Sequence, residues 1–537
     1  MNCSKFLTLV LLLVFIISFN YCESVHTLED ELIVDEEPIT IGIIGSGISG
    51  AYTAYSLRKW LNTSYPSLLV NIEIIDRNNY IGGRINSIII DNFHFESGAS
   101  IIHHSNQYLF NLSEELNLTR IKPKSENSEI GLWNFSLLKF NYESSKYWII
   151  NIMKLFYSYG FSLFTMKSAT FQAAKLFYNY YTIQNNENNK SFNSVTELNN
   201  EAIINNLTQI SLKDYLLSQS VSNDLINELI TGIEHVNYNQ DPSTISALAG
   251  FVGLIPTIDS NLFSIENGNK QLIEGAIQKS LATIKLNHSV VEITSQLMNG
   301  KRIYNVNGIN NNSNIINNKF HYNYDLLIMA TPLEISNITI KLNKKLPIRK
   351  YQITIATFIS GTLNYSYFNK NSNNMPATVL TTGCKTDENV NNSDNDSDLL
   401  LCPFSSLAAH HFNKTTNRTQ YKIFSVEPLA SELLDLLFIN IYEIKTIPWF
   451  AYPKYSPPEQ FAPFKLSVSD DGEIFYVNAF ENSVSCMECM AVAAINTAKL
   501  VEKQIELILS DKIKFSSPRR MKHPKSHEFD RLVHEDL

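Results

Sequence analysis

The sequence predicts an α/β protein: a doubly wound domain assembled from discontinuous segments, with a mixed α+β domain inserted between them. Three observations carry this expectation. Residues 41–50 read I-G-I-I-G-S-G-I-S-G, an apolar strand running directly into a Gly45-x-Gly47-x-x-Gly50 turn and then a helix. A second apolar strand, residues 70–75, ends in Asp76, and Gly82-Gly83-Arg84 follows within another turn. Buried-strand patterns then return only far downstream, at 284–291, 324–332 and 475–481, so the remaining strands of the same sheet must come from distant parts of the chain.

Each piece of the first unit has a physical task. Gly45 permits a tight turn, Gly47 lets the backbone approach a pyrophosphate, and Gly50 allows helix to pack closely on strand. The helix N-terminus offers N–H groups and a partial positive charge to phosphates. Asp76 stands where a carboxylate would accept hydrogen bonds from a ribose. These residues predict a dinucleotide. The Gly82-Gly83-Arg84 that follows resembles flavoproteins of the amine-oxidase type rather than nicotinamide dehydrogenases, which makes FAD the expected cofactor and NAD the poorer candidate. In such proteins the diglycine meets the flavin diphosphate and the arginine adds a fixed charge. The stretch F-E-S-G-A-S-I-I-H at 95–103 resembles the strand and turn that pass beneath the flavin ring.

The remaining elements follow in order. A helix is expected over 50–61, with Ala51, Ala54, Tyr55, Leu57 and Leu61 on its buried side, and a short one over 107–118. Residues 147–176 read as two helices of a substrate-side domain, with only Lys154, Lys167 and Lys175 charged. Their apolar residues serve either as core or as a face for a hydrophobic ligand or membrane surface. A polar, asparagine-rich loop is expected over 185–200, and a helix over 212–230 interrupted at 237–241. Residues 262–270 precede a helix reaching about 281. The strand at 284–291 ends on Val291, which joins the expected cofactor contacts, and 324–332 reads as a buried strand and turn. The expected division is 38–135, 261–335 and 451–510 for the nucleotide-binding domain, and 136–260 and 336–450 for the substrate domain. An acidic insertion at 386–398 and a basic tail over 511–537, with Arg519, Arg520, Lys522 and Lys525, lack core-forming pattern.

Composition sets outer limits. A chain of 537 residues, 44% hydrophobic and 18% charged, can bury a large core. A formal net charge of −9 argues against nucleic acid as a partner. At the N-terminus, Lys5 and an apolar run over 6–19 predict a signal peptide through residue 22, with an uncleaved anchor as the other reading. Acceptor triplets for N-glycosylation occur at Asn62, Asn111, Asn117, Asn134, Asn189, Asn206, Asn287, Asn311, Asn337, Asn364, Asn391, Asn395, Asn413 and Asn417, in a chain so rich in asparagine that chance supplies many. Cys384 and Cys402 bracket the polar insertion and suit a disulfide. Cys486-Met487-Glu488-Cys489 has redox-motif spacing without the thioredoxin setting, and buried free thiols are the expectation there. Zinc has little support.

Taken together, residues 39–497 resemble one family, the prenylcysteine oxidases or lyases. Beyond the nucleotide-binding motifs, the resemblance rests on V-N-Y-N-Q at 236–240, E-N-G-N-K at 266–270 and Y-P-K-Y-S-P-P-E at 452–459. The segment F-Y-V-N-A-F-E at 475–481 looks like the strand and turn closing over the flavin, with Glu481 among the contacts. Gly268 follows Asn267 where a diglycine is usual, and Ala99 stands for a second glycine. The resemblance implies oxidative cleavage of farnesyl- or geranylgeranyl-cysteine to cysteine, an isoprenoid aldehyde and hydrogen peroxide, consuming oxygen and water, in the lysosome. It implies a prenylcysteine substrate and admits peripheral membrane contact. His103 is the candidate polar group near the ring, or a residue that fixes its turn. Glu266 and Glu481 either bind flavin or substrate or cap helices. A flavin amine oxidase and a non-catalytic prenyl-binding protein of the GDP-dissociation-inhibitor type are the competing readings.

Overall fold

The computed structural model describes residues 37–122, 130–142, 148–186, 190–258, 261–312, 318–347, 349–371, 375–384, 402–469 and 472–516. The expected signal peptide, the 386–398 insertion and the basic residues of the tail lie outside them.

A six-stranded sheet organises the nucleotide-binding half. Its strands are β1 (Ile39–Ile44), β2 (Val70–Ile75), β3 (Thr283–Lys285), β4 (Leu326–Met329), β5 (Lys465–Val468) and β6 (Gly472–Tyr476), in the order β3-β2-β1-β4-β6-β5. Discontinuity is therefore real: four separate stretches of chain supply one sheet. β1 runs parallel to β2 and β4, with Ile44 opposite both Ile75 and Met329, so three strand ends converge where the glycine turn begins. Parallel strands covered on both faces must be apolar throughout, and Ile41, Ile43, Ile74, Leu327 and Ile328 are all fully buried.

Helix α1 (Ile48–Ser64) follows the turn, with Ala51, Ala54, Tyr55, Leu57 and Leu61 buried as their spacing requires. The apolar stretch forms two helices, α2 (Trp148–Tyr159) and α3 (Ser162–Gln184). The C-terminal α4 (Met487–Ser516) packs along α1. α4 buries Ala491, Ala494 and Ala498 along one stripe, and α1 buries Ala51 and Ala54; such small side chains let two packed helix backbones approach. Among the described residues no helix is long and apolar enough to cross a membrane.

Facing this half is a seven-stranded sheet, ordered 438–453, 351–363, 418–425, 406–413, 378–381, 130–133 and 138–142. It starts at Ile130, a few residues before the boundary expected at 135.

Three local expectations are corrected. The loop over 185–200 contains a helix, Val195–Glu201, capped by Ser194, whose Oγ accepts from the Glu197 N–H; Glu197 in turn accepts from the Asn193 N–H at 3.1 Å. The Ser-x-x-Glu spacing is that of a capping box, with the glutamate reaching one residue further back than the cap itself. The helix expected over 212–230 breaks after Ser218 and restarts behind a second serine cap, Ser222. The strand expected over 284–291 is two strands in two sheets: β3 stops at Lys285, Asn287 turns the chain with φ +59°, and His288–Met298 pairs elsewhere.

Candidate active site

The glycine turn packs as tightly as its sequence suggests, except at one point. Gly45 has φ +112°, and a Cβ there would lie 2.6 Å from the Ala330 carbonyl oxygen. A Cβ on Gly50 would collide with the Gly45 carbonyl oxygen. Gly47 is different. Its backbone is extended, with φ −73° and ψ −173°, and a Cβ would meet only the Gly82 oxygen, at 3.9 Å. The space in front of Gly47 is an open cradle. Gly82 and Gly83 form its far side: the Gly82 N–H donates to the Ser46 carbonyl at 3.0 Å, and a Cβ on Gly83 would come within 3.4 Å of the Gly47 Cα. The first turn of α1, which opens onto the cradle, has no side-chain cap and no acidic residue. A diphosphate fits such a place, because uncapped N–H groups and the helix dipole face it without a competing carboxylate.

Asp76 is buried beside this turn at the tip of β2. Its Oδ2 accepts from the Ser46 N–H (2.8 Å) and Oγ (2.6 Å), and Oδ1 from the Asn78 N–H at 2.9 Å. Val291 sits at a β-bulge, where pairing between 288–298 and 301–310 shifts register between Val290 and Glu292. It is exposed, near a strand start whose His288 N–H donates to the Asp76 carbonyl at 2.9 Å. Both residues could hold the nucleoside end of a dinucleotide.

Next to the cradle lies a cavity with roughly 730 Å³ of empty space, part of it open to solvent. Ile48 connects it to the start of α1. One wall is the base of the hairpin 87–96, through Arg84, Ile85 and the Ser97-Gly98-Ala99 turn, a second is the seven-stranded sheet through Phe424 and Trp449, and a third is the start of α4 through Cys486 and Met490. Asn239 and Tyr452 complete a lining that is mostly apolar.

Charge is held at one edge of this cavity. Arg84 forms an ion pair with Glu481, and its Nη1 donates to the Ala451 carbonyl at 2.8 Å. Glu481 is fully buried and also accepts from the Tyr351 hydroxyl (2.8 Å), the Asn478 amide (3.1 Å) and Ser485 Oγ (3.2 Å). Burial alone would push this carboxyl up, but the Arg84 and Arg349 guanidinium groups and these donors hold it below the usual range. Arg349, which sequence reasoning missed, forks onto Glu334 with two bonds of 2.8 Å and reaches the Tyr476 hydroxyl at 2.8 Å.

Behind the 96–100 turn lies a second group the sequence did not announce. Lys422 is buried in the sheet, and its Nζ donates to the Glu96 carbonyl (2.8 Å) and to Ser100 Oγ (3.2 Å). Burial lowers this ammonium to about 8 and raises the Glu96 carboxyl to about 7. Asn269, within the E-N-G-N-K stretch, donates its N–H to Glu96 Oε1 at 2.6 Å and its amide to the Ala99 and Ser100 carbonyls. That stretch therefore fixes the turn lining the cavity.

The nucleotide-binding half matches a family model described as an NAD(P)-binding Rossmann-like domain over residues 43–116. The model of the prenylcysteine lyase family matches residues 142–511, more than half of the chain. The chain belongs to the prenylcysteine lyase family.

Curated relatives agree over most of their length. The farnesylcysteine lyase of Arabidopsis thaliana is 35% identical over 479 residues, 87% of this chain and 89% of that protein. Prenylcysteine oxidase 1 of Homo sapiens is 30% identical over 489 residues, covering 86% of this chain and 88% of its own. Solved structures share the fold at low identity. Putrescine oxidase bound to putrescine superposes with a TM-score of 0.54 at 13% identity, covering 88% of this chain and 99% of that one. Cyclohexylamine oxidase from Brevibacterium oxydans IH-35A gives 0.54 at 14%, covering 88% and 100%. This member of the prenylcysteine lyase family is thus an oxidoreductase on a Rossmann-like scaffold.

Within the family fold, the candidate residues separate. Gly45, Gly47, Gly50, Gly82 and Gly83 come together at the cradle with Asp76, while Arg84 and Glu481 meet at the cavity. His103 does not line the cavity; its Nδ1 lies 2.6 Å from Ser105 Oγ and its N–H donates to Asn106 Oδ1 at 2.7 Å, so it organises its own turn. Glu266 is exposed ahead of the helix Lys270–Ser280. Cys384 and Cys402 form the anticipated disulfide. The free-thiol expectation for Cys486 and Cys489 is corrected: they are bonded to each other, with Cα atoms 5.0 Å apart. The start of a helix brings residues i and i+3 onto one face, which puts the two sulfurs within bonding reach.

Proposed function

We propose that this chain is an FAD-dependent thioether oxidase that cleaves farnesyl- or geranylgeranyl-cysteine. The observation that carries the reading is an apolar, aromatic cavity with one charged edge, opening beside a glycine-lined cradle with room for a diphosphate. FAD, when bound, accepts a hydride and passes its electrons to oxygen. The glycine turn and the first turn of α1 hold its diphosphate, and Asp76 its ribose. Phe424, Trp449 and Met490 enclose the isoprenoid, whose burial at roughly 25 cal/mol per Å² supplies much of the affinity. Asn239 and Arg84, the latter held in place from behind by Glu481, face the polar cysteine end. The carbon next to sulfur loses hydride, water adds, and the hemithioacetal collapses; one prenylcysteine, one molecule of oxygen and one water become one isoprenoid aldehyde, one cysteine and one hydrogen peroxide.

None of the described residues lining the cavity is a histidine, aspartate or glutamate. That lining suits a reaction in which sulfur and the allylic double bond stabilise the developing cation, so that no protein base is needed. The test is a panel of substrates with peroxide detection. Farnesylcysteine should yield peroxide and putrescine none; the opposite pattern would favour an amine oxidase and overturn the proposal.

The same reading includes glycosylation, a lysosomal location reached through the secretory pathway, and peripheral membrane contact. Two disulfides support an oxidising compartment. Asn62, Asn111, Asn117, Asn206, Asn311, Asn337 and Asn417 are exposed, and Asn134, Asn287, Asn364 and Asn413 partly so, while Asn189, Asn391 and Asn395 lie outside the described residues. The α2–α3 pair presents Tyr157 (93% exposed) and Phe161 (76%), with Met153, Phe156, Phe164 and Phe171 also exposed. Its three charged residues, Lys154, Lys167 and Lys175, are all cationic in a chain of net charge −9. Exposed aromatic residues interspersed with lysines suit an anionic bilayer. Flotation with anionic vesicles tests this: the wild type should rise with the lipid and Y157D/F161D should not, and equal behaviour of the two refutes the contact.

A further inference from the structure

The disulfide between Cys486 and Cys489 stands where structural bridging is not needed. We propose that it is a second redox centre, exchanging an electron pair with the flavin bound in the adjoining cavity. The inference rests on the FAD reading above.

Position comes first. Cys486 lines the cavity immediately before α4, together with Met487 and Met490 and with Arg84, Ile85 and Gly98 from the base of the hairpin. In this reading the cavity next to the cradle is shared: the ring of a dinucleotide anchored at Gly47 enters on the side of Ile48 and Cys486, and the prenyl group lies toward Phe424 and Trp449. Cys486 is partly exposed there, whereas Cys489 is fully buried. One sulfur thus meets the cavity and the other is shielded behind it.

The local polarity favours the reduced form. The Cys489 N–H points at Cys486 Sγ, 3.0 Å away, and the N-terminus of the long helix α4 begins at the next residue. An N–H donor and a helix dipole both stabilise a thiolate at Cys486, lowering the cost of breaking the bond. The backbone of the motif is held in place by Glu488, which is fully buried among its partners: it accepts from the Tyr108 and Leu109 N–H groups and the Tyr181 hydroxyl at 2.8–3.0 Å.

Structural stapling is a poor explanation. A bridge between residues three apart closes almost no loop and removes little entropy from the unfolded chain. The bridge from Cys384 to Cys402, by contrast, spans 18 residues. It lies away from the cavity lining.

The transfer balances. Reduced flavin, carrying one ring proton as its anion, gives up two electrons and that proton. The S–S bond takes the electron pair and breaks; with one further proton from solvent, two thiols form and the flavin is oxidised. Return of the pair to flavin, and from there to oxygen, regenerates the disulfide. A holoenzyme built this way stores four electrons and can oxidise a second substrate before oxygen reacts.

Anaerobic titration of the FAD-loaded full chain with dithionite tests this, since dithionite reduces flavin whether or not prenylcysteine is the substrate. The wild type should take up four electrons per flavin and the C486S/C489S variant two. In parallel, samples quenched with an alkylating reagent and mapped by mass spectrometry should gain labels on Cys486 and Cys489 only. Protein stripped of FAD and treated identically should gain none. Uptake of two electrons by the wild type, with both cysteines unlabelled, overturns the proposal even if the variant fails to fold. Equal labelling in the stripped protein also overturns it, because the flavin would then not be the donor. A colourless chain that refuses FAD refutes both readings and is distinguished by its lack of flavin absorption; a chain that titrates as expected yet ignores prenylcysteine refutes only the substrate.

Discussion

Replacing Gly47 by valine should separate holding the cofactor from holding the fold. Gly47 has φ −73° and ψ −173°, a conformation open to any L-residue. A Cβ there finds nothing nearer than the Gly82 oxygen at 3.9 Å. The apoprotein therefore suffers no clash, and the gain of about 0.4–1 kcal/mol from restricting the unfolded chain is offset by the loss of glycine, a better N-cap than valine, at the start of α1, so the stability of the fold changes little. The added methyl groups fill the space the diphosphate needs. Excluding it forfeits at least two charge-assisted hydrogen bonds at roughly 1.5–3 kcal/mol each, or about 3–6 kcal/mol, which weakens binding by roughly two to four orders of magnitude. Gly50→Ala is the contrast, since its Cβ strikes the Gly45 carbonyl oxygen and should cost about 1–3 kcal/mol or more in the fold itself. The assay is flavin content after gel filtration, with melting temperatures of both apoproteins. Gly47→Val should be colourless and melt close to the wild-type apoprotein, and Gly50→Ala should melt lower. Wild-type flavin affinity in Gly47→Val would refute the placement of the diphosphate.

Glu481→Ala removes a buried partner of Arg84 and should cost about 3 kcal/mol, near the low end for breaking such pairs because Arg84 is about a third exposed; urea denaturation measures it, and an unchanged midpoint contradicts the assigned pairing. Stability should also depend on pH in a particular sense. Burial raises the carboxyls of Glu96, Glu459 and Glu488 to about 7 in the folded chain. Groups raised on folding stabilise fully below their unfolded value and lose that contribution as pH rises through the folded one. Glu481 is lowered and acts oppositely, its contribution being lost in stronger acid. Burial also lowers the His410 imidazole to about 3 in the folded chain, which pulls the other way up to its ordinary value of 6.5, but three carboxyls outweigh one imidazole. Melting temperature should therefore be higher near pH 5 than near pH 8, and fall again in stronger acid; a maximum at pH 8 would contradict the burial of the three carboxyls. Opening the Cys384–Cys402 bridge as a double serine variant should cost about 3 kcal/mol, the entropy of a loop of this length, with flavin content unchanged; loss of flavin would tie that bridge to the site.

Residues whose roles depend on near neighbours were legible in the sequence. The glycine turn needs only its own steric demands and the strand and helix beside it, and α1 buries the residues its spacing marks. The cavity walls were not legible, because Phe424 and Trp449 come from different strands of a sheet whose edge strand, 438–453, also exposes Ile439, Tyr442, Ile444 and Phe450. Apolar pattern there does not tell inside from outside. Glu488 was read as part of a cysteine motif, since its partner Tyr108 lies 380 residues earlier. Spacing alone read Cys486 and Cys489 as buried free thiols, and only the approach of their backbones, with Cα atoms 5.0 Å apart, shows that they are bridged. At Ser194 and Glu197 a capping signal was present but submerged in asparagine-rich sequence, and at Asn287 a single left-handed residue divided what read as one strand.

The most direct measurement is anaerobic mixing of the FAD-loaded protein with farnesylcysteine while the flavin absorption is followed. The yellow colour should bleach on mixing and return when oxygen is admitted, with an isoprenoid aldehyde, cysteine and hydrogen peroxide as products. A flavin that stays oxidised in the presence of saturating farnesylcysteine would contradict the assignment of this cavity to a prenyl thioether.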